Sequence, residues 1–206
     1  KPWAARTLAE RIALVQAVDL SQPANCRAVV DATVAQFGRL DALCNVAGIL
    51  KLAHAHEMAE ADWNAVIAVN LSAPFFLCQA AIPHLLKSEG AIVNVSSLAA
   101  HIGEAYSAAY CASKGGLSQL TKALAMEYLL QPIRINAVLP GGLATPIGAS
   151  FIPPEGADMT LLGRIRPLRG LVEVEDMANF IAFLASPAAA GFHGADINMD
   201  QGITAG

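Results

Sequence analysis

Short β-branched runs separated by helix-length stretches dominate this sequence, and that alternation narrows the fold more than any other feature. The runs are 12–18, 40–45, 90–97, 133–138 and 195–199, and the stretches between them read as helices at about 23–37, 60–87, 107–130 and 174–184. Strands that are apolar along their whole length are covered on both faces. Strand–helix alternation then means parallel strands joined by crossover helices. The expected class is α/β, a doubly wound parallel sheet in three αβα layers. With 206 residues, 55% of them hydrophobic and 15% charged, the chain suits a single domain over 1–206 with a large aliphatic core.

The local signals follow that frame. Residues 3–11 read as the end of a helix, and 12–18 as a strand closing on Asp19 and Leu20. In the helix over 23–37, Val29, Val30, Val34 and Phe37 fall on the buried side, and Gly38 stops it. The 60–87 stretch carries Asn70 and Pro74 inside its pattern. After the 133–138 run, Pro140, Gly141 and Gly142 break the chain and open a loop to about 164 that carries Phe151, Ile152, Met159, Leu161 and Leu162. A loop of that length is usually functional or mobile.

Several partner classes drop out. Net charge is −4 with no run of lysines or arginines, so a nucleic-acid partner is not expected. Mean hydropathy is high at +0.47, but the apolar stretches are short and broken, so no bilayer-spanning segment and no membrane partner are expected. Cysteines at 26, 44, 78 and 111 lack Cys-x-x-Cys spacing and fall within predicted elements, which points to reduced, buried thiols and a cytoplasmic protein. No metal site is expected. His54 and His56 alternate in a loop, far from any cysteine.

The chemistry concentrates at Tyr110 and Lys114. Four positions apart, they share one helix face. A free phenol titrates near pKa ~10, too high for proton transfer at neutral pH. A neighbouring cation favours the phenolate, so Lys114 is expected to lower the Tyr110 pKa and make it a general acid or base. Ser97, at the end of the 90–97 strand, supplies a second hydroxyl. Tyr106, eight residues before Lys114, has no such partner.

The serine at 97, tyrosine at 110 and lysine at 114, in this strand-then-helix context, resemble the short-chain dehydrogenase/reductase family, single-domain branch, over about 19–202. That resemblance implies a Rossmann-type fold, NAD or NADP as cofactor, and hydride transfer between nicotinamide and a secondary alcohol or ketone. It assigns Asn70, Ser97, Tyr110 and Lys114 as the catalytic set, with Asn70 holding a water that links the lysine to solvent. Cofactor contacts follow at Asp19 and Leu20 after the family's third strand, at Asn45, Ala47 and Gly48 in an element matching the family's Asn-Ala-Gly with Val46 as a conservative substitution, and at Tyr110 and Lys114. Pro140, Gly141, Leu143 and Thr145 complete them, in a Pro-Gly-x-Ile-x-Thr pattern with Leu143 at the isoleucine position. It also implies a homo-oligomer, dimer or tetramer, paired through the helices at 60–87 and 107–130.

One element of such a fold is missing. No glycine-rich turn joins a first strand to a first helix, and in the order 3-2-1-4-5-6 two strands would lie between 12–18 and 40–45. The expectation is that an N-terminal piece, roughly one βαβ unit of about 30 residues or more, precedes this sequence. Substrate contacts are expected from 98–106 and 142–164. These stretches are mostly apolar, with His101 and Glu104 as polar candidates, and lean toward a hydrophobic substrate such as an acyl thioester, terpenoid or steroid. The alternative is a non-catalytic dinucleotide sensor on the same fold. A serine hydrolase is disfavoured by the lack of a Gly-x-Ser-x-Gly elbow.

Overall fold

Four of the predicted strands form in the computed structural model, which describes residues 14–149, 151–167 and 169–205. They are β1 (Ala42–Asn45), β2 (Ala91–Val95), β3 (Arg134–Pro140) and β4 (Asp196–Met199). All pair in parallel in the order β1-β2-β3-β4, with Leu43, Ile92 and Ile135 in one row. The helices are α1 (Pro23–Phe37), α2 (Glu60–Ile67), α3 (Ala73–Ser88), α4 (Ala108–Glu127), α5 (Pro146–Ala149), α6 (Met159–Gly163) and α7 (Val174–Ala185). This is a Rossmann-like α/β fold, with a parallel sheet between helices.

Side chains alternate across each strand, so successive residues feed two different cores. On one face Ile92 and Ile135 pack with Cys26 and Val30 of α1, Leu77, Cys78, Ala81 and Leu85 of α3, and Leu124 of α4. On the other, Val93, Val95 and Val138 pack with Met177 and Leu184 of α7. The sheet is entered tightly. A Cβ on Gly90 would stand 2.6 Å from the Asp41 carbonyl oxygen and 2.7 Å from Leu85, so only glycine brings α3 into β2 at this distance.

Four expectations need correction. The helix end at 3–11 and residues 12 and 13 lie outside the described residues, but 14–18 form no strand, and Val15 is 89% exposed. β-Branched residues hold extended geometry only against a neighbour's hydrogen bonds, and among the described residues none pairs with this run or with the outer edge of β1. That open edge also leaves Cys44 exposed, while Cys26 and Cys78 are buried and Cys111 half-buried. Phe37, at the last position of α1, is exposed as well.

The fourth concerns the expectation that the apolar stretches are short and broken. The 60–87 stretch is helical as expected, and a π-helical turn over Ala68–Ser72 carries α2 into α3 to give one continuous helix Glu60–Ser88. Its 29 residues, with mean hydropathy 1.8 in the most apolar window, are long and apolar enough to cross a membrane. Part of that apolar surface is taken up by α1 and the sheet, against which Leu77, Ala81 and Leu85 are buried, while Trp63 and Phe75 stay exposed.

Candidate active site

The C-terminal end of β2 and the first turns of α4 are fastened together by a serine. Ser96 Oγ donates to the Lys114 carbonyl (2.9 Å) and accepts from Ser118 Oγ (3.0 Å), all in the interior. The next residue, Ser97, stays extended, and its Oγ accepts from Ala99 N (3.2 Å), capping the short turn Leu98–Ala100. Lys114 turns inward with only 4% exposure. Its Nζ donates to the Val95 carbonyl (2.8 Å) and stands 5.7 Å from the centre of the Tyr110 ring. One strand end therefore places both the serine and the lysine against the tyrosine.

Asn70 completes the cluster from the π turn, a distortion that frequently marks functional positions. Its Oδ1 accepts from Ile49 N (2.8 Å), while Nδ2 donates to the Ile49 carbonyl (2.9 Å) and to Ser113 Oγ (3.1 Å). Asn70 is fully buried and acts as a two-ended clamp on the backbone after Gly48. A Cβ at Gly48 would sit 3.5 Å from both Asn70 Oδ1 and Lys114 Nζ, so the clamp brings that backbone alongside the ammonium.

The expected acidification of Tyr110 is not found. Burial pushes the phenol up to about 12, opposed by hydrogen bonding with the Ser97 side chain and reinforced by the Glu104 carboxylate. Burial also pulls Lys114 down to about 8. Desolvation, invisible in the sequence, outweighs the neighbouring cation in this state.

Two cavities meet at Tyr110. The larger, of about 750 Å³, has Ser97, Leu98 and Glu104 on one side and Phe151, Leu162 and Arg166 on the other. The smaller, of about 450 Å³, is lined by Gly48, Lys114, Val95, Thr145 and Met177. Tyr110, Pro140, Leu143 and Thr145 border both. The smaller cavity suits the nicotinamide and ribose of the expected dinucleotide. It presents an ammonium, an apolar wall, and the Thr145 hydroxyl, buried with no hydrogen-bond partner among the described residues.

Of the expected cofactor contacts, Ala47, Gly48, Tyr110, Lys114, Pro140, Leu143 and Thr145 share this cavity. Gly141 lines the larger one, with Asp200 so close behind that a Cβ would stand 2.9 Å from its Cα. The rest are elsewhere. Asp19 is exposed just before α1, where its Oδ1 accepts from Ser21 N (2.9 Å), and Leu20 lines a third cavity of about 230 Å³ that shares Val46 and Ala47 with the smaller one. Asn45 turns its side chain into the protein. Its Nδ2 donates to Asn94 Oδ1 (2.8 Å), and Asn94 Nδ2 donates to Thr121 Oγ1 (2.9 Å), a buried polar chain tying β1, β2 and α4 together.

On the substrate side, Leu98, Glu104, Leu143, Phe151 and Leu162 line the larger cavity, whereas His101 points away and contacts Asp196 Oδ2 (3.1 Å). Leu50, Ile165, Arg166 and Leu171 also line it. These four lie just beyond the motif and loop boundaries that the sequence suggested, and nothing in their own pattern marks them. The 142–164 segment is not structureless, since it contains α5 and α6, the latter capped by Asp158 Oδ1 accepting from Thr160 N (2.8 Å).

Tyr106 turns out to matter for that segment. It adopts φ of 65°, unusual for a bulky residue, and its hydroxyl accepts from Asp158 N (2.8 Å). Its ring meets His54 edge-on at 5.1 Å, and His54 Nε2 lies 2.9 Å from the Glu155 carbonyl, which it approaches as donor. Together they pin the loop that roofs the larger cavity.

Comparison with known proteins sharpens this picture. A family model described as enoyl-(acyl carrier protein) reductase matches residues 3–204. A D-threitol dehydrogenase of Mycolicibacterium smegmatis is 38% identical over 190 residues, covering 91% of this chain and 72% of the relative. A 3-oxoacyl-(acyl-carrier-protein) reductase of Thermotoga maritima is 41% identical over 176 residues, covering 85% and 70%. Among solved structures, the ligand-free aldohexose dehydrogenase of Thermoplasma acidophilum superposes with a TM-score of 0.81 at 28% identity, over 93% of this chain and 78% of that one.

Proposed function

The chain belongs to the short-chain dehydrogenase/reductase family, as an NAD- or NADP-dependent oxidoreductase of secondary alcohols, and we propose that Tyr110 is the group that exchanges the hydroxyl proton. The observation that carries this reading is the position of Tyr110 where the two cavities meet. Ser97 flanks it on the side open to substrate, and Lys114 on the side suited to the dinucleotide.

Bound nicotinamide supplies the hydride acceptor or donor. The protein's own part is positional and protonic. Ser97 hydrogen-bonds the reacting oxygen and steadies charge on it. Tyr110 gives its proton to that oxygen in reduction and takes it in oxidation. Lys114 stands beside the phenol and faces the ribose position, held there by Val95. Asn70 is a positioning residue, acting through Ile49 and Ser113.

The apolar larger cavity favours a substrate with a hydrophobic body. The relatives named above act on a four-carbon polyol, an acyl thioester and a hexose, so the family brackets both polar and apolar alcohols. Half-exposed Trp63 on α2, Phe75 on α3 and Met126 on α4 support a homo-oligomer paired through those helices. Tyr110→Phe tests the central claim. Turnover followed by nicotinamide absorbance should fall about 10²-fold or more with the fold retained, and near-full activity would sink the assignment.

A further inference from the structure

Resting on that reading, we propose that Glu104 selects substrates carrying a second hydroxyl beside the reacting one, so that diols and polyols are favoured over plain alcohols. Glu104 shares the wall of the larger cavity with Ser97 and Tyr110, and the surfaces around it are largely leucine, isoleucine and phenylalanine. Its backbone is fixed by the turn into α4, where Ser107 N donates to the Glu104 carbonyl (3.3 Å). The carboxyl is near enough to Tyr110 for its charge to be felt by the phenol. Among the described residues no cation pairs with it.

A carboxyl in such a wall is partly taken from water without an ion pair in return, and burial raises its pKa, opposed by hydrogen bonding with the Ser107 side chain. It accepts a hydrogen bond from a hydroxyl whether or not it carries a proton. With the reacting oxygen at Ser97 and Tyr110, a hydroxyl on a neighbouring carbon falls on the Glu104 side of the same cavity. A substrate with only methylene groups there displaces water from the carboxyl and offers it no hydrogen bond in return. Leaving a buried polar group unsatisfied weakens recognition by about tenfold to a hundredfold. The catalytic hydroxyls do not call for Glu104, whose effect on Tyr110 opposes ionisation of the phenol. A role toward substrate accounts for a carboxyl at this place.

The test compares trans-cyclohexane-1,2-diol with cyclohexanol, using wild type, Glu104→Gln and Glu104→Leu saturated with NAD or NADP. Wild type is expected to favour the diol in kcat/KM by about tenfold or more. Glu104→Leu should bring the ratio close to one, and Glu104→Gln, whose amide oxygen still accepts, should keep part of the preference. Any change that Glu104 makes in Tyr110 itself affects both alcohols and cancels in the ratio. No diol preference in wild type, or the same preference in Glu104→Leu, overturns the proposal. If neither alcohol is oxidised, the ratio is read from binding instead, which does not depend on hydride transfer. Calorimetric titration of both compounds into the cofactor-loaded protein then decides: a tighter diol that loses its advantage in Glu104→Leu upholds the role of Glu104, and equal affinities overturn it.

Discussion

Replacing Lys114 with methionine should change the pH dependence of stability in a way fixed by the depth of its burial. An exposed lysine titrates at 10.5, and burial brings Lys114 down to about 8. At about 1.4 kcal/mol per pH unit, the folded protein carries about 3 kcal/mol of strain from this one ammonium at neutral pH. The sign follows from proton binding. Between about 8 and 10.5 the unfolded chain holds the lysine proton and the folded protein has lost it, so stability rises with pH through that window. The penalty is complete below it and gone above it. From about pH 7 to about pH 9.5 the gain is about 2 kcal/mol.

Lys114→Met removes the titrating group but keeps much of its apolar stem. It also deletes the 2.8 Å bond to the Val95 carbonyl, a loss of about 1–3 kcal/mol. The variant should therefore be close to wild type in stability at neutral pH while losing activity. Urea unfolding of both proteins at the two pH values isolates the lysine, because every other group cancels in the difference. The gap between them should move by about 2 kcal/mol in favour of wild type at the higher pH. A gap that stays put, or moves the other way, would show that the ammonium is not held in a dry site.

Two further substitutions address the scaffold. Asn94→Leu, in the middle of the buried chain from Asn45 to Thr121, should cost about 2–4 kcal/mol in denaturant unfolding, because it removes one buried hydrogen bond from each of those two residues and places an apolar side chain among polar groups. Tyr106→Phe removes only the hydroxyl that accepts from Asp158 N. It should speed hydrogen exchange at Asp158 and raise KM about tenfold or less, with global stability within about 1 kcal/mol of wild type. An unchanged exchange rate at that amide would show that the roof of the cavity is held by other contacts.

The sheet was legible because period and length suffice for it. Strands at 40–45, 90–97, 133–138 and 195–199 announce themselves by β-branched runs, and their parallel pairing follows from the helices between them. The run at 12–18 shows the limit of that reasoning. Its composition is that of a strand, yet residues 14–18 are without a partner among the described residues and form none. Candidate site residues near regular elements were legible in the same way. Tyr110 and Lys114 lie on one helix, and Ser97 stands two residues past the end of β2. Phe151 and Leu162 fell inside a loop whose length marked it, whereas Leu50, Ile165 and Leu171 reach the cavity only through the path of the chain. Asn45 shows the converse, a motif residue whose side chain points into the core.

What spacing could not supply is the balance between charge and burial. Four residues of separation do put Lys114 beside Tyr110, but β2, which delivers Ser97, also brings the Val95 carbonyl to Lys114 Nζ and closes the cluster away from water. The strand end that gathers these groups therefore moves both pKa values against ionisation, up for the phenol and down for the ammonium. At neutral pH Tyr110 keeps its proton firmly, the state that the proposed reduction requires for protonating a developing alkoxide. Acting as a base, it must overcome the desolvation that the fold imposes. Glu104 adds to that cost, and so its presence on the cavity wall is better explained by what it offers an incoming alcohol than by what it does for Tyr110.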